Sequence, residues 1–134
     1  MIVKSVSTNK HSQFVNITRL VEEALAESGI FSGIATIFIQ HTTAGITINE
    51  NADPDVTRDM INILERMVPW NHPDYRHTEG NTAAHMKASM MGNSTQVIIE
   101  NGQLQMGIWQ GIYFCEFDGP RQRKIFIKFL GDKN

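Results

Sequence analysis

The sequence contains a single cysteine, Cys115, among its 134 residues, so a disulfide within the chain is excluded. It also has no excess of basic residues, because 12 Lys and Arg stand against 14 Asp and Glu. Proteins that bind the nucleic acid backbone neutralise many phosphates with basic side chains. We therefore expect no nucleic-acid partner. Because Cys115 lies in an apolar segment, we expect its thiol to be a small buried hydrophobe.

Long apolar runs are missing as well, and no stretch approaches the roughly 20 apolar residues that a membrane span requires. The first residues, Met1 to Ser5, show no basic region leading into an apolar segment, as a secretory signal would. These features predict a cytoplasmic protein with no membrane partner. The length suits one core, and no repeat or linker divides the chain, so residues 1–134 are predicted to form a single domain.

Three helices are predicted from capping residues and apolar periodicity. Thr18 is expected to cap the first helix, and Gly29 to end it. Asp53-Pro54 is a strong opening for the second helix, since Asp caps free N–H groups and Pro suits the first helical position. A third, shorter helix is expected from Thr82 to Met91, ended by Gly92. The predicted buried stripe of the second helix comprises Val56, Met60, Ile63, Leu64 and Met67.

The remaining patterns predict strands. Two N-terminal segments, residues 2–8 and 14–17, resemble a strand pair. Two further strands, residues 34–40 and 46–49, flank the connection His41-Thr42-Thr43-Ala44-Gly45. From Ser94 onward the chain reads as a β meander. Seven or eight strands with three inserted helices predict an α+β fold with a mainly antiparallel sheet.

Three of the five histidines occupy suggestive places: His41 ends a strand, His77 lies in a long polar loop and His85 lies on the third helix. Histidine is the commonest metal ligand in proteins. Ligands so far apart in sequence carry little information in their spacing. Histidines that are simply exposed or hydrogen-bonded therefore remain an alternative interpretation.

Polar residues that follow His41 predict a binding surface. Thr42 and Thr43 come directly after it, and Asn49 points to one face of the next strand. Asn51 continues the polar patch toward the second helix. A polar outer face, and a turn hydrogen bond at Asn51, are the alternatives.

The start of the third helix predicts an anion site. Gly80 permits a close approach of phosphate, and the N–H groups that follow Asn81 attract anions. Plain helix capping by Asn81 and Thr82 is an equal alternative. Arg121, with Arg123 and Lys124, forms the one basic cluster, which either holds a ligand phosphate or is a solvated hairpin connection.

Gln110, Ile112, Phe114 and Glu116 point to one side of a late strand. A carboxylate on such a largely apolar face either finds a cation or has a raised pKa. Glu116 is therefore predicted to be a general base or a partner that orients another site residue, with an exposed edge-strand glutamate as the alternative. Gln110 joins the predicted substrate-binding residues, and the segment Asp118-Gly119-Pro120 is predicted to turn.

Three groups of motifs follow one another along nearly the whole chain. They are His41-Thr42-Thr43-Ala44 with Asn49-Glu50-Asn51, Tyr75-Arg76-His77 with Glu79-Gly80-Asn81 and Ala84-His85, and Gly107 to Gln110 with Glu116-Phe117-Asp118-Gly119-Pro120-Arg121. Together they resemble the YjbQ-like family, also labelled secondary thiamine-phosphate synthases. The resemblance implies a sheet curled into a half barrel, a homotrimer and a divalent metal held by His41, His77 and His85. It carries no role onto His11 or His72.

The metal that the three histidines favour differs from the metal that the implied reaction normally uses. Joining a pyrimidine diphosphate to a thiazole phosphate normally uses Mg²⁺, which prefers oxygen ligands, whereas three imidazoles suit Zn²⁺. An open coordination position on such a metal would favour phosphoryl chemistry.

The expected function is therefore a metal-dependent enzyme acting on a small phosphorylated or heterocyclic metabolite. It would have thiamine-phosphate synthase side activity or act as a metal-dependent phosphoryl hydrolase. A non-catalytic trimeric module that binds a metal and a metabolite is the alternative. A third possibility is a purely structural metal that ties the long loop to the sheet.

Overall fold

The computed structural model describes residues 1–134 and contains eight strands and three helices. None of the three helices has the length and apolar character that a membrane crossing requires. In chain order the elements are β1 (Ile2–Ser7), β2 (Gln13–Asn16), α1 (Thr18–Ser28), β3 (Ile30–Phe38), β4 (Ala44–Glu50), α2 (Pro54–Met67), α3 (Thr82–Met91), β5 (Ser94–Glu100), β6 (Gln103–Leu104), β7 (Gln110–Glu116) and β8 (Gln122–Lys133).

The strands form two antiparallel sheets. A five-stranded sheet has the order β1-β8-β3-β5-β6, and a three-stranded sheet has the order β2-β7-β4. The long strand β8 pairs with both β1 and β3 and so joins the N-terminal edge to the centre of the larger sheet. The strands curl into a half barrel, which with the three helices confirms the α+β class and the mainly antiparallel sheet.

The predicted pairing of the two N-terminal strands is wrong. β1 pairs with β8, and β2 pairs with β7 in the other sheet. The segment between β1 and β2 crosses from one sheet to the other instead of making a hairpin. The connection that contains His41 makes a similar crossing, because β3 belongs to the larger sheet and β4 to the smaller. His41 therefore lies where the two sheets diverge.

The main core lies between the two sheets and α1. It contains sixteen buried residues, among them Val21 of α1, Ile37 of β3 and Phe114 of β7. A second, smaller cluster lies on the other face of β7, under α2 and α3, and includes Tyr113 and Cys115. Alternate residues of β7 thus serve opposite cores, as the period of a strand requires. The predicted burial of Cys115 is confirmed, and that burial raises the pKa of its thiol.

The helix boundaries follow the predicted signals with one exception. Gly29 ends α1 with a φ of 72°, a conformation that glycine adopts without steric cost. Asp53 caps α2, since its Oδ1 accepts a hydrogen bond from the N–H of Asp55 at 2.9 Å. Thr18 is not a cap. It is the first residue of α1, and its Oγ1 instead accepts a hydrogen bond from the N–H of Ile112 at 2.8 Å.

The predicted buried stripe of α2 is only partly buried. Leu64 inserts into the smaller core and is 6% exposed, whereas Ile63 is 45% and Met67 is 62% exposed. A single chain therefore covers one turn of the helix and leaves the neighbouring apolar positions at the surface. Helical periodicity correctly placed these residues on one side, but it did not show how much of that side meets the core.

Candidate functional site

A polar cleft opens where the His41 connection, the start of α3 and the β7–β8 turn meet. Its volume is about 450 Å³, and none of its eleven lining residues is hydrophobic. A cleft with this lining suits a charged or strongly polar ligand. The lining residues are Gln40, His41, Thr42, Thr43, His77, Glu79, Asn81, His85, Asp118, Arg121 and Arg123.

All three predicted histidines line this cleft. The ring centroids of His77 and His85 are 5.4 Å apart, with the ring planes at 86°. Two imidazoles bound to one tetrahedral metal, each with a metal–nitrogen bond of about 2 Å, have centroids about 5 Å apart. The separation of this pair therefore suits ligation of one cation. His41 and His85 also line a neighbouring opening of about 550 Å³, together with residues of the C-terminal half of α3.

His41 is held in a different way. Its Nε2 accepts a hydrogen bond from the backbone N–H of Lys124 at 3.1 Å. A neutral imidazole that accepts at Nε2 carries its proton on Nδ1, so neither nitrogen offers a free lone pair in this orientation. Burial, followed by the positive charge of Arg123, lowers the pKa of His41 and favours this neutral form.

The donor chemistry fits a transition metal, but the donors are not assembled around one point. No group of three or more His, Cys, Asp or Glu side chains is placed to hold a metal ion. Metal ligation by all three histidines requires the His41 ring to leave the Lys124 amide and turn toward the other two. Because imidazole nitrogens suit Zn²⁺ better than Mg²⁺, the predicted preference for zinc remains a prediction.

Glu116 is fully buried and forms a two-point ion pair with Arg123. Arg123 Nε donates to Glu116 Oε1 at 2.8 Å, and Arg123 Nη2 donates to Oε2. Thr8 Oγ1 donates to Oε1 at 2.8 Å, and the N–H of Asp118 donates to Oε2 at 3.0 Å. Burial alone would raise the pKa of Glu116, but these hydrogen bonds outweigh it and hold the pKa below its ordinary value.

Of the two outcomes expected for Glu116, the structure therefore shows the paired one. A carboxylate with both oxygens occupied and a lowered pKa is a weak proton acceptor. The exposed edge-strand alternative is excluded, because no part of Glu116 reaches solvent. The geometry favours an orienting role: Glu116 positions Arg123, whose Nη2 also donates to Thr43 Oγ1 at 2.9 Å. Thr43 is buried against this guanidinium, whereas Thr42 is exposed.

Arg121 is the half-exposed cation of the cleft. Its Nε donates to the carbonyl of Asp118 at 2.9 Å, and its Nη2 lies 3.2 Å from Asp118 Oδ2. Its side chain is 50% exposed. Unlike Arg123, it is free on one side to meet a ligand anion. The predicted phosphate contact at Arg121 stays a prediction, and the geometry is compatible with it.

Asn81 lies at the start of α3 and is buried in the wall of the cleft. Its Nδ2 donates to Asp118 Oδ2 at 2.9 Å, and no side chain caps the first turn of α3. Side-chain capping by Asn81 or Thr82 is therefore not what the structure shows. Gly80 precedes it with a φ of 72° and borders a separate opening of about 350 Å³ beside Trp70 and Tyr75. Its backbone conformation explains why glycine is needed there.

Asn49, Asn51 and Gln110 are not part of this cleft. β4 and β7 are antiparallel, with Ala44 opposite Glu116 at the cleft end and Glu50 opposite Gln110 at the other. At about 3.3 Å per residue, these polar side chains lie on the order of 20 Å from the cleft. Asn51 Nδ2 donates to the carbonyl of Gln110 at 3.0 Å, so its side chain bonds to the start of β7 and not within a local turn. Within one chain the three residues therefore lie apart from the histidines, and their substrate-binding role stays a prediction.

A sequence model described as "UPF0047 protein YjbQ-like" matches residues 3–132. The chain belongs to this family. The UPF0047 protein YugU of Bacillus subtilis is 59% identical over 126 residues, which cover 94% of this chain and 96% of YugU. A UPF0047 protein of Methanocaldococcus jannaschii is 50% identical over 130 residues, which cover 96% of this chain and 92% of that protein.

Solved structures of similar proteins share the fold. A crystal structure of a UPF0047 protein from Clostridium acetobutylicum has a TM-score of 0.95 and 58% identity, and the match covers 97% of this chain and 100% of that one. A structure from Thermus thermophilus has a TM-score of 0.91 and 39% identity, with coverage of 97% and 100%. These likenesses establish the YjbQ-like fold, and the names of these proteins state no reaction.

Two residues of this YjbQ-like cleft have roles that sequence reasoning missed. The sequence predicts only a turn at Asp118, yet this residue holds both Asn81 and Arg121. The sequence presents Arg123 as one member of a basic cluster, yet this residue is buried and pairs with Glu116. The available signal was that an acidic and a basic residue stand on either side of the same Gly-Pro turn. Nothing in the sequence indicated that Thr8 would also contact Glu116.

Proposed function

We propose that this protein is a metal-dependent enzyme that acts on a small phosphorylated metabolite in the polar cleft. The observation that carries the proposal is that His41, His77 and His85 line one cleft together with the half-exposed Arg121. The close pair, His77 and His85, supports the metal. The cleft volume of about 450 Å³ suits a small molecule rather than a polymer.

The chain's own residues divide into two groups in this proposal. His77 and His85 would hold the metal, and His41 would join them after its ring leaves the Lys124 amide. When bound, a transition metal would polarise a phosphoryl oxygen and lower the pKa of a bound water. Arg121 and the N-terminus of α3 would hold the phosphate, since both are positive and both border the cleft. Glu116 acts indirectly, by fixing the guanidinium of Arg123 in the cleft wall.

Metal analysis of purified protein, followed by a ligand screen, tests the proposal. We expect about one zinc per chain, lost in His77→Ala and His85→Ala. The matched control is His72→Ala, which removes a loop histidine outside the cleft. Phosphorylated metabolites should raise the melting temperature of the zinc-loaded protein, and chelation should cancel the effect. Equal zinc content in all three variants would refute the metal site.

Thiamine-phosphate synthase activity is the specific reaction proposed. It is measured by incubating the protein with the pyrimidine diphosphate and the thiazole phosphate, with Mg²⁺ or Zn²⁺ supplied separately. A three-histidine centre predicts greater activity with Zn²⁺. Hydrolysis of the diphosphate without joining would instead identify a phosphoryl hydrolase.

A non-catalytic binding module is the second candidate, and the ion pair of Glu116 with Arg123 favours it. Because both carboxylate oxygens of Glu116 accept hydrogen bonds, this residue is poorly suited to take a proton from a substrate. A pure binder predicts ligand-dependent stabilisation with no turnover under any metal. A purely structural metal predicts that chelation loosens the loop before α3 and that no phosphorylated ligand stabilises the protein.

A homotrimer is part of the proposal, and an exposed apolar row supports self-association. Ile34 lies opposite Ile98 on one side and Leu130 on the other, across three neighbouring strands of the larger sheet. These side chains are 42%, 60% and 65% exposed. Contiguous apolar surface of this kind commonly marks a protein interface. Light scattering should give three times the chain mass of 15.1 kDa, and Ile98→Glu should reduce the measured mass.

The cytoplasmic location stays a prediction.

A further inference from the structure

One buried polar atom of the cleft has no partner. Asn81 is 8% exposed, and its Oδ1 is the one buried side-chain nitrogen or oxygen without a hydrogen bond. A buried acceptor left unpaired is unfavourable relative to a paired one, because it has lost its hydrogen bonds to water. Asn81 lines the polar cleft, so the unmet acceptor lies in the wall of the proposed binding site.

The orientation of the Asn81 amide is fixed by its surroundings. Its Nδ2 donates to Asp118 Oδ2 at 2.9 Å, and that carboxylate also pairs with Arg121. Rotating the amide by half a turn would place Oδ1 against the carboxylate and leave an N–H group unpaired instead. The free group is therefore an acceptor, and it requires a donor.

The groups around Asn81 favour the binding of an anion next to its side chain. Asn81 is the residue before α3, whose first turn has no side-chain cap and whose ten residues make it long enough to carry a dipole. Arg121 pairs with Asp118 Oδ2, the same oxygen to which Asn81 donates, so its positive charge lies close to Asn81. An acceptor that needs a donor thus lies beside groups that attract a negative charge. A ligand that meets both requirements has a hydrogen-bond donor for Asn81 Oδ1 and, close to it, an anionic group for Arg121 and the N-terminus of α3.

We propose that Asn81 selects the substrate through Oδ1, and that the substrate is a phosphorylated compound with a hydroxyl or N–H group near the phosphate. This inference rests on the proposed function, because the phosphate belongs to that proposal. Oδ1 is covered by neighbouring atoms. Binding therefore includes a small shift of the loop before α3, whose residues 76–80 are exposed.

Matched phosphate esters test the inference on the unmodified 134-residue chain with zinc present. The probes are 2-hydroxyethyl, 3-hydroxypropyl and 4-hydroxybutyl phosphate, each compared with the ethyl, propyl or butyl phosphate that lacks the hydroxyl. Calorimetry measures the dissociation constants. We expect one hydroxylated ester to bind about tenfold more tightly than its alkyl partner, the size of effect that one buried hydrogen bond gives.

Two variants assign the preference to Asn81. In Asn81→Ala the two esters of that pair should bind equally, whereas Asn62→Ala, at an exposed position of α2 outside the cleft, should keep the tenfold ratio. If all esters bind the unmodified chain with the same affinity, the inference about Asn81 is wrong, but the phosphate site of the proposed function is supported. If no ester binds, the inference about Asn81 and the phosphate site are both wrong. A tenfold ratio that survives Asn81→Ala also overturns the assignment.

Discussion

Arg123 and Glu116 form a buried ion pair that joins the end of β7 to the start of β8 across the Asp118-Gly119-Pro120 turn. The guanidinium is 3% exposed and the carboxylate is completely buried. Two charges held out of water are stable only with close geometry and with further hydrogen bonds. Thr8 and Thr43 supply some of these bonds, so β1 and the His41 connection are tied to the same pair.

Removal of one charge of this pair should destabilise the fold strongly. Glu116→Gln leaves the Arg123 guanidinium buried without a counter-charge, so we expect a loss of about 3–5 kcal/mol in the free energy of unfolding. Urea unfolding followed by circular dichroism measures it. The control, Glu27→Gln at an exposed helix position, should stay within about 0.5 kcal/mol of the parent. A Glu116→Gln loss below about 1 kcal/mol would contradict the ion-pair account.

The same pair predicts how stability depends on pH. The folded pKa of Glu116 lies below its ordinary value of 4.5, so the unfolded chain takes up the proton first as the pH falls. The contribution of Glu116 is therefore complete well above pH 4.5 and is lost as the pH falls through the folded pKa. The gap in unfolding free energy between parent and Glu116→Gln should narrow from pH 6 to about pH 3. A gap that widens on acidification would show that the pKa is raised.

The elements that could be predicted are those specified by neighbouring residues. Asp53 and Pro54 begin α2, and Gly29 and Gly92 end the other two helices, because capping and backbone conformation are local. The pairing of β1 could not be predicted in the same way. Its partner β8 begins more than a hundred residues later, and the short segment between β1 and β2 resembles a hairpin connection in sequence.

In the candidate site, too, long-range contacts could not be predicted from local sequence patterns. The convergence of His41, His77 and His85 was expected from the family resemblance, since their spacing carries little information. Proximity in sequence predicts that Asn49 lies beside His41. In the structure His41 precedes the start of β4 and Asn49 lies near its end, so the length of the strand separates them. The ion pair of Glu116 with Arg123 joins residues of different sheets. The only local signal for it is that the two residues stand on either side of the Gly119-Pro120 turn.

Lys87 offers an asymmetric test of a second buried charge. Its side chain is 1% exposed on α3, and its Nζ lies 2.9 Å from Oε1 of Glu65, which is 39% exposed on α2. Lys87→Met leaves a carboxylate that solvent can still reach, so we expect little loss. Glu65→Ala leaves a buried ammonium without a partner and should cost about 2 kcal/mol more.

Thermal and urea unfolding of the two variants measure this difference. Ser12→Ala serves as the control, since it removes only the hydroxyl that donates to Glu65 Oε1 at 3.0 Å. Equal losses in Lys87→Met and Glu65→Ala would show that the buried ammonium of Lys87 does not depend on Glu65 for its stability.

Gly45 sets the distance between β4 and the helix that carries His85. A Cβ added at Gly45 would lie 2.8 Å from the carbonyl oxygen of Gly92 and 3.0 Å from Cβ of Met91. That carbonyl accepts a hydrogen bond from the N–H of Ile46 at 3.0 Å, so the backbone there has little freedom to move. Gly45→Ala should therefore push the end of α3 outward and cost about 1–3 kcal/mol of unfolding free energy.

The same displacement should reach the cleft, because α3 is short and carries Asn81 before its start and His85 in its second turn. We expect Gly45→Ala to weaken zinc binding more than Val21→Ala, a core substitution in α1 on the far side of the main core. Zinc titration at a temperature where both variants are folded separates displacement from general instability. If Gly45→Ala unfolds like the parent, the contact with Gly92 is not limiting. If it is destabilised but binds zinc normally, the position of α3 does not govern the metal site.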